Sequence, residues 1–237
     1  MNNNTKVAVI TGASQGIGAA LIAAYQDIDY AVVANSRSIA PASAGNLEAV
    51  AGDVGDPLVA QRIVATAIER FGRVDTLVNN AGVFLAKPFT DYTAEDYAAV
   101  KGTNLDGFFH LTQAVIAQLL AQGEGGHIVS VTTTLVESAS SSVPSALASL
   151  SKGGVAAATK SLAVEYAGRG IRVNAVSPGV IDTPMHAPDA HEFLAALHPV
   201  GSIGEITDVT RGVLYLEQSP FVTGEYLHID GGQSAGH

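Results

Sequence analysis

The sequence predicts a single doubly wound α/β domain, a parallel sheet with helices on both faces. Three observations lead there. Short β-branched runs alternate with stretches of helical periodicity along all 237 residues. Those runs are continuously apolar, as in strands buried on both sides, instead of alternating apolar and polar. Glycines cluster at the first strand-to-helix junction, where such a fold turns back on itself.

The elements follow in order. The run "KVAVIT" (6–11) reads as the first strand and "GIGAALIAAYQ" as the first helix. "YAVVAN" (30–35) and "LEAVAG" (47–52) are further strands. The intervening "SRSIAPASAG" is short and holds Pro41, which predicts a loop or one helical turn. Asp56 and Pro57 form a start signal for the helix in "DPLVAQRIVATAIERFG". "VDTLVNNAG" (74–82) is a short strand ending in turn residues, and a long helical region spans about Thr93 to Gln122. "GHIVSVTT" (126–133) is again β-branched. Helix follows from about Ser145 to Gly168, strand in "IRVNAVSPG", helix in "EITDVTRGVLYLEQ" and a last strand in "EYLHIDGG". No linker, repeat or low-complexity tract divides the chain, so residues 1–237 form one domain.

Composition narrows the function. Hydrophobic residues are 47% and charged residues 14%, enough for one large core and too few charges for a long solvated tail. The net charge of −10, with no basic run, argues against nucleic acid or an anionic membrane as partner. There is no cysteine, hence no disulfide framework and no thiol nucleophile. No H-E-x-x-H or similar cluster points to a metal. The N-terminal "MNNNTKVAVITG" lacks signal-peptide character and no apolar stretch is long enough to span a membrane, so a cytoplasmic protein is expected.

"VAVITGASQGIGAAL" places Gly12, Gly16 and Gly18 where a strand meets a helix, with Ser14, Gln15 and Ile17 between them. Glycines there let the backbone approach a pyrophosphate, which the helix amides and dipole then hold. The spacing is neither G-x-G-x-x-G nor a P-loop. Together with "GDVGD" (52–56), "NNAG" (79–82), "GTNLDG" (102–107), "SKGG", "SPGVIDTPM" (177–185) and "VTGEYLHIDGG" (222–232), it makes the chain similar to the short-chain dehydrogenase/reductase family nearly end to end.

That resemblance implies a Rossmann-like fold and hydride transfer between a nicotinamide and a carbonyl or alcohol carbon. It also implies roles. Asp53 and Val54 would meet the adenine, and Asn80, Ala81 and Gly82 would pass close to the ribose. Pro178, Gly179, Ile181 and Thr183 would hold the nicotinamide. Among the family's catalytic residues, Asn104 matches the asparagine of the water relay and Lys152 the lysine that also holds the ribose. Thr133 lies at the serine position, with Thr132 and Thr134 one register step away. Relatives form dimers or tetramers, so a homo-oligomer is expected. Residues 184–204 would form a substrate lid.

An acidic residue ending the second strand would take a ribose 2′-hydroxyl and repel a 2′-phosphate. This chain has "VVANSRSI" there, and Asn35, Ser36 and Arg37 offer donors and a fixed positive charge instead. NADP(H) is therefore favoured over NAD(H), although Gln15 stands where many NADP-preferring relatives have a basic residue.

The remaining catalytic position is empty of chemistry. Lys152 lies one turn after Ala148 in "SALASLSKGG", where the family pattern Y-x-x-x-K has its proton-donating tyrosine. The preceding loop, "TLVESASSSVPSA", is about two residues longer than in the family. Ser145, Ser149, His186 and His191 are candidate replacement acids. Three functions stay open: a working reductase with a substituted or water-mediated proton donor, an inactive nucleotide-binding protein acting through ligand-dependent association, and a structural subunit with a vestigial site.

Overall fold

The computed structural model describes residues 5–184 and 191–236. Its strands are β1 (Val7–Thr11), β2 (Ala31–Ser36), β3 (Ser43–Ala44), β4 (Leu47–Ala51), β5 (Thr76–Asn79), β6 (Gly126–Val131), β7 (Ile171–Pro178) and β8 (Tyr226–Ile229). The helices are α1 (Gly16–Gln26), α2 (Pro57–Phe71), α3 (Ala94–Val100), α4 (Gly107–Gln122), α5 (Ala146–Tyr166), α6 (His191–Ala195) and α7 (Ile206–Gln218). The strands form one sheet in the order β3-β4-β2-β1-β5-β6-β7-β8. Every neighbouring pair is parallel except β3 with β4. This is the doubly wound, Rossmann-like α/β fold.

The continuous apolar runs have their explanation in the two faces. Val7 and Val9 of β1 face a core completed by Val59 and Ile63 of α2, Leu111, Val115 and Leu119 of α4, and Ala163 of α5. Ala8 and Ile10 of the same strand face Leu21 and Tyr25 of α1 and Val209, Val213 and Leu216 of α7. A strand covered on both sides has no solvent face on which to place polar side chains.

Local signals set the helix ends. The Asp56 carboxylate accepts from the Leu58 amide at 2.8 Å, with Pro57 opening α2 and Gly72 closing it at φ +85°. Thr93 and Asp96 form a reciprocal capping box at α3. The long helical region departs from regularity at one place, a π-helical turn over Lys101–Asp106 that joins α3 to α4 and carries Asn104.

The segment after β2 differs from expectation. Instead of a loop or helical turn, Ser43–Ala44 adds an antiparallel edge strand to β4 through the two-residue turn Gly45–Asn46. Gly45, at φ +58°, supplies the left-handed backbone such a tight hairpin requires.

Candidate functional site

The strand order reverses between β1 and β5, since β1 leads to β2 on one side and β5 continues the sheet on the other. Loops leaving the C-terminal ends of these strands diverge there and leave a crevice. A cleft of about 640 Å³ opens at that point.

The residues expected to hold a dinucleotide converge on this cleft. It is lined by Gly12, Ser14, Gln15, Gly16 and Ile17 of the first turn, Ser36 and Arg37 after β2, and Asp53 and Val54 after β4. Asn80, Ala81 and Gly82 after β5, Lys152 of α5, and Pro178, Gly179, Ile181 and Thr183 after β7 complete the set. Gly18 is placed differently, beneath the turn. A Cβ there would lie 2.3 Å from the Gly12 carbonyl oxygen, so this glycine is what lets α1 pack against the loop before it. Gly12 itself has φ +63°, and a side chain on it would press against Ala81 at 2.9 Å.

Two features fit this cradle to an anionic nucleotide. Gln15 precedes α1 without a side-chain cap, so the first amides of an 11-residue helix have no capping acceptor. The Ser36 hydroxyl is buried with no partner among the described residues, and Ser36 lines the cleft. A buried hydroxyl left unbonded is costly, and a ligand oxygen would satisfy it. Arg37 lines the same stretch and forms no ion pair among the described residues. Asn35 is not a donor here: its side-chain amide donates to the Val50 and Gly52 carbonyls at 2.9 and 3.2 Å, tying β2 to β4. The Asp53 carboxylate accepts from the Gly55 amide at 2.9 Å, which fixes the turn it stands on.

At the other end of the cleft, hydrogen bonds distinguish the three threonines. Thr132 Oγ1 lies 2.8 Å from the Val176 carbonyl oxygen, and Thr134 Oγ1 donates to the Asp230 carboxylate at 3.0 Å. Thr133 only accepts, from the Leu135 amide at 3.3 Å. Its hydroxyl hydrogen is therefore the one not directed into the protein wall.

Lys152 Nζ donates to the Val131 carbonyl at 2.7 Å. Loss of hydration pushes its pKa down to about 8. Nζ also sits 3.3 Å from the position of a Cβ on Gly82, so this glycine admits the lysine against the turn after β5. Asn104 acts one layer back. Its carbonyl oxygen accepts from the Val83 amide at 2.8 Å, while its amide donates to the Val83 carbonyl at 3.0 Å and to Ser151 Oγ at 3.1 Å. Instead of lining the main cleft, Asn104 borders a small recess of about 10 Å³ shared with Thr103, Lys152 and Ser130, the first two of which line the cleft as well. That is room for roughly one water, and the Ser130 hydroxyl there has no partner among the described residues.

Ala148 lines the cleft in the turn before Lys152, and no tyrosine does so among the described residues. The nearest tyrosine to the threonines, Tyr226, has its hydroxyl 2.9 Å from Thr132 Oγ1 and 3.2 Å from the Thr133 carbonyl oxygen, behind the wall. The replacement acids fare poorly. Ser149 donates to the Leu135 carbonyl at 2.9 Å. Ser145 and His191 are not among the residues lining the cleft, and His191 lies 3.6 Å from Asp182. His186 falls outside the described residues.

Sequence reasoning missed His198. It is buried, its Nδ1 bonded to the Leu194 carbonyl at 3.0 Å and its Nε2 accepting from the Val180 amide at 3.0 Å. It thereby links the α6 segment to the loop after β7. Gln233 was also missed, buried at the cleft wall with its side-chain oxygen lacking a partner among the described residues. Neither carries a local sequence signal, because each gains its place from a distant loop.

Comparison with known proteins agrees with the fold and identifies the family. The profile of the family described as enoyl-(acyl carrier protein) reductase matches residues 10–234. A 3-oxoacyl-(acyl-carrier-protein) reductase, FabG, of Thermotoga maritima is 36% identical over 242 residues, covering 96% of this chain and 97% of the relative. The solved structure of ElxO with NADP bound is similar at a TM-score of 0.90 and 29% identity, covering 98% of this chain and 100% of that one. A 3-ketoacyl-(acyl-carrier-protein) reductase of Brucella melitensis complexed with NADH matches at a TM-score of 0.88 and 28% identity, covering 98% and 100%. The chain belongs to the short-chain dehydrogenase/reductase family.

Proposed function

We propose that this protein is an NADP(H)-dependent oxidoreductase of carbonyl and alcohol compounds that works without the usual proton-donating tyrosine. The observation that carries the reading is the continuity of one cleft from the glycine turn, past the unpartnered Ser36 hydroxyl, to Thr133 and Lys152. Solved relatives include one with NADP and one with NADH, so the preference rests on Ser36 and Arg37 of this chain.

Each residue has a physical task. The uncapped start of α1 and the backbone at Gly12 to Ile17 hold the pyrophosphate. Arg37 and Ser36 take a 2′-phosphate, Asp53 and Val54 the adenine, and Asn80 to Gly82 the neighbouring ribose. Pro178, Gly179, Ile181 and Thr183 border the nicotinamide, whose reduced form supplies a hydride when bound. Thr133 donates its hydroxyl hydrogen to a carbonyl oxygen and so stabilises the charge that develops there. Lys152 bonds the ribose and presents a positive charge whose pKa is near neutrality. Of the substrate lid expected over residues 184–204, residues 185–190 lie outside the described residues, and Leu194 and Leu197 border the cleft. Exposed Phe109 on α4 and Leu150 and Val164 on α5 offer apolar surface for a second copy.

Ala148 cannot donate a proton, and losing general acid catalysis lowers a rate by ~10²–10⁴. Slow turnover with a solvent-derived proton is the consequence. The same residue supports a second reading, a nucleotide-binding protein that acts through ligand-dependent association. A purely structural role leaves the unpartnered groups of the cleft without purpose. NADPH and NADH titrations, followed by NADPH oxidation across a panel of carbonyl compounds, test the proposal. The expected results are tighter NADPH binding, slow turnover lost in Lys152→Ala, and a gain of ~10²–10⁴ in Ala148→Tyr. Activity seen only in Ala148→Tyr supports the second reading, and tighter NADH binding overturns the cofactor preference.

A further inference from the structure

We infer that the space beside Ala148 is a subsite for the phenolic hydroxyl of a ligand, held against the Lys152 amine; this rests on the reading of the cleft given above. Three observations bear on it. First, Ala148 and Lys152 line one cavity, one turn apart on the same helix face, so a group beside the alanine methyl is within the lysine's reach. Second, the Lys152 amine has a single acceptor among the described residues, the Val131 carbonyl, and an ammonium carries three donors. Among the described residues lining the cleft there is no tyrosine, and the one acidic residue, Asp53, follows β4 at the adenine end. Third, the cleft that Ala148 lines carries apolar side chains, Phe84, Leu135, Val143, Leu194 and Leu197, beside the hydroxyl of Thr133.

This combination selects among ligands. An aliphatic alcohol is too weak an acid to ionise on the amine, and a free carboxylate would bring full charge against the apolar side chains. An aromatic ring fills the apolar surface and places one weakly acidic oxygen on the amine. The amine stabilises the ionised oxygen and the oxygen restores the amine's charge, since each favours the charged form of the other. Burial alone works against that charge, which is why Lys152 titrates near 8 with no anion beside it. A carbonyl compound with its own phenol would thus bring the proton-holding group that this chain lacks.

The test uses phenol itself, titrated into the intact protein with and without saturating NADP⁺, and read by the ultraviolet band of phenolate. Phenol bound to the wild type is expected to ionise about 1–3 pH units below its ordinary value near 10. Ala148→Val and Ala148→Tyr, which fill the space in two ways, and Lys152→Met are each expected to weaken phenol binding about tenfold or more and to abolish the increase in phenolate absorbance that added phenol produces, read against the same variant without phenol. An unshifted phenol, or one bound equally well by the Ala148 variants, overturns the proposal. Failure of NADP⁺ to bind while phenol still ionises in an Ala148- and Lys152-dependent way overturns the cofactor reading and leaves the subsite standing. A carbonyl panel then places the phenol. Preference for hydroxyaryl ketones over their unsubstituted counterparts, lost in Ala148→Tyr, assigns it to the substrate. Equal rates for both, with free phenol still bound, assign the subsite to a separate phenolic ligand.

Discussion

At the N-terminal end of the strands, the Glu217 carboxylate is bonded by Tyr25 at 3.2 Å, Tyr30 at 2.9 Å, Thr76 at 3.0 Å and His127 at 2.8 Å. At the C-terminal end, the Ser36 hydroxyl is equally buried and bonded by nothing among the described residues, while Lys152 has one acceptor. Both ends hold polar groups inside an apolar protein, and both incur the cost of removing them from water. In one case protein atoms supply every partner, and the result is a fastener joining α1, α7, β5 and β6. In the other the partners are missing, and the result is a place for a ligand. Completeness of hydrogen bonding, more than polarity, separates the structural cluster from the site.

Removing the acceptor at the complete end has the largest expected effect on stability. Glu217→Ala leaves the hydroxyls of Tyr25, Tyr30 and Thr76 and the His127 ring without their shared partner. Breaking a buried network in this way costs ~3–5 kcal/mol, read as a lowered denaturant midpoint at unchanged slope. NADPH affinity of the folded variant should stay within about twofold. Equal loss of affinity and stability would mean that the two ends are not independent, and the contrast would fail.

Acid probes the same end more gently. Burial raises the Glu217 pKa, but the hydrogen bonds from His127, Tyr30 and Thr76 outweigh it and hold the carboxyl at about 2. His127 is driven the other way, toward its neutral form, by burial; its Nε2 lies 3.1 Å from the Asn174 side-chain amide and accepts from it in that form. A folded pKa below the unfolded one, near 4.5, gives stability that is complete above the unfolded value and lost as pH falls toward 2. Unfolding free energy should therefore drop steeply between about pH 5 and 2 in the wild type and much less in Glu217→Gln. Parallel slopes for the two proteins would remove Glu217 from the account.

The two ends were not equally legible in the sequence. The strands were, because a run such as "VAVI" has no polar side to offer and must be covered on both faces. So was the glycine turn, whose residues are neighbours in the chain. Asp56 and Pro57 marked α2 for the same reason: a cap acts over three or four residues. The Glu217 fastener was not, since Tyr25 lies 192 positions away and Thr76 141. Nor were His198, which gains its role by meeting Val180, or the assignment of Asn35 to the β2–β4 join. Their types are ordinary and only folding brings their partners. That Ala148 stands one turn before Lys152 could be read because the two are close in the chain, whereas the distinction of Thr133 among three threonines needed the positions of Val176 and Asp230.

The smallest predicted effect tests whether the incomplete end is waiting for a phosphate. Arg37 is exposed and contributes charge, while Ser36 is partly buried with its hydroxyl unbonded, so the two should respond differently to truncation. Arg37→Ala removes the one fixed cation there and should weaken NADPH about tenfold, ~1.4 kcal/mol, with NADH nearly unchanged. Raising the salt should narrow the gap, because an exposed charge is screened. Ser36→Ala removes a hydroxyl that makes no bond in the free protein, so it should leave unliganded stability equal or slightly higher. Its cost should emerge only on binding, as a several-fold loss of NADPH affinity that salt barely alters. Were Ser36→Ala to destabilise the free protein instead, its hydroxyl must already have a partner, and the rule separating the two ends of the sheet would lose its clearest instance.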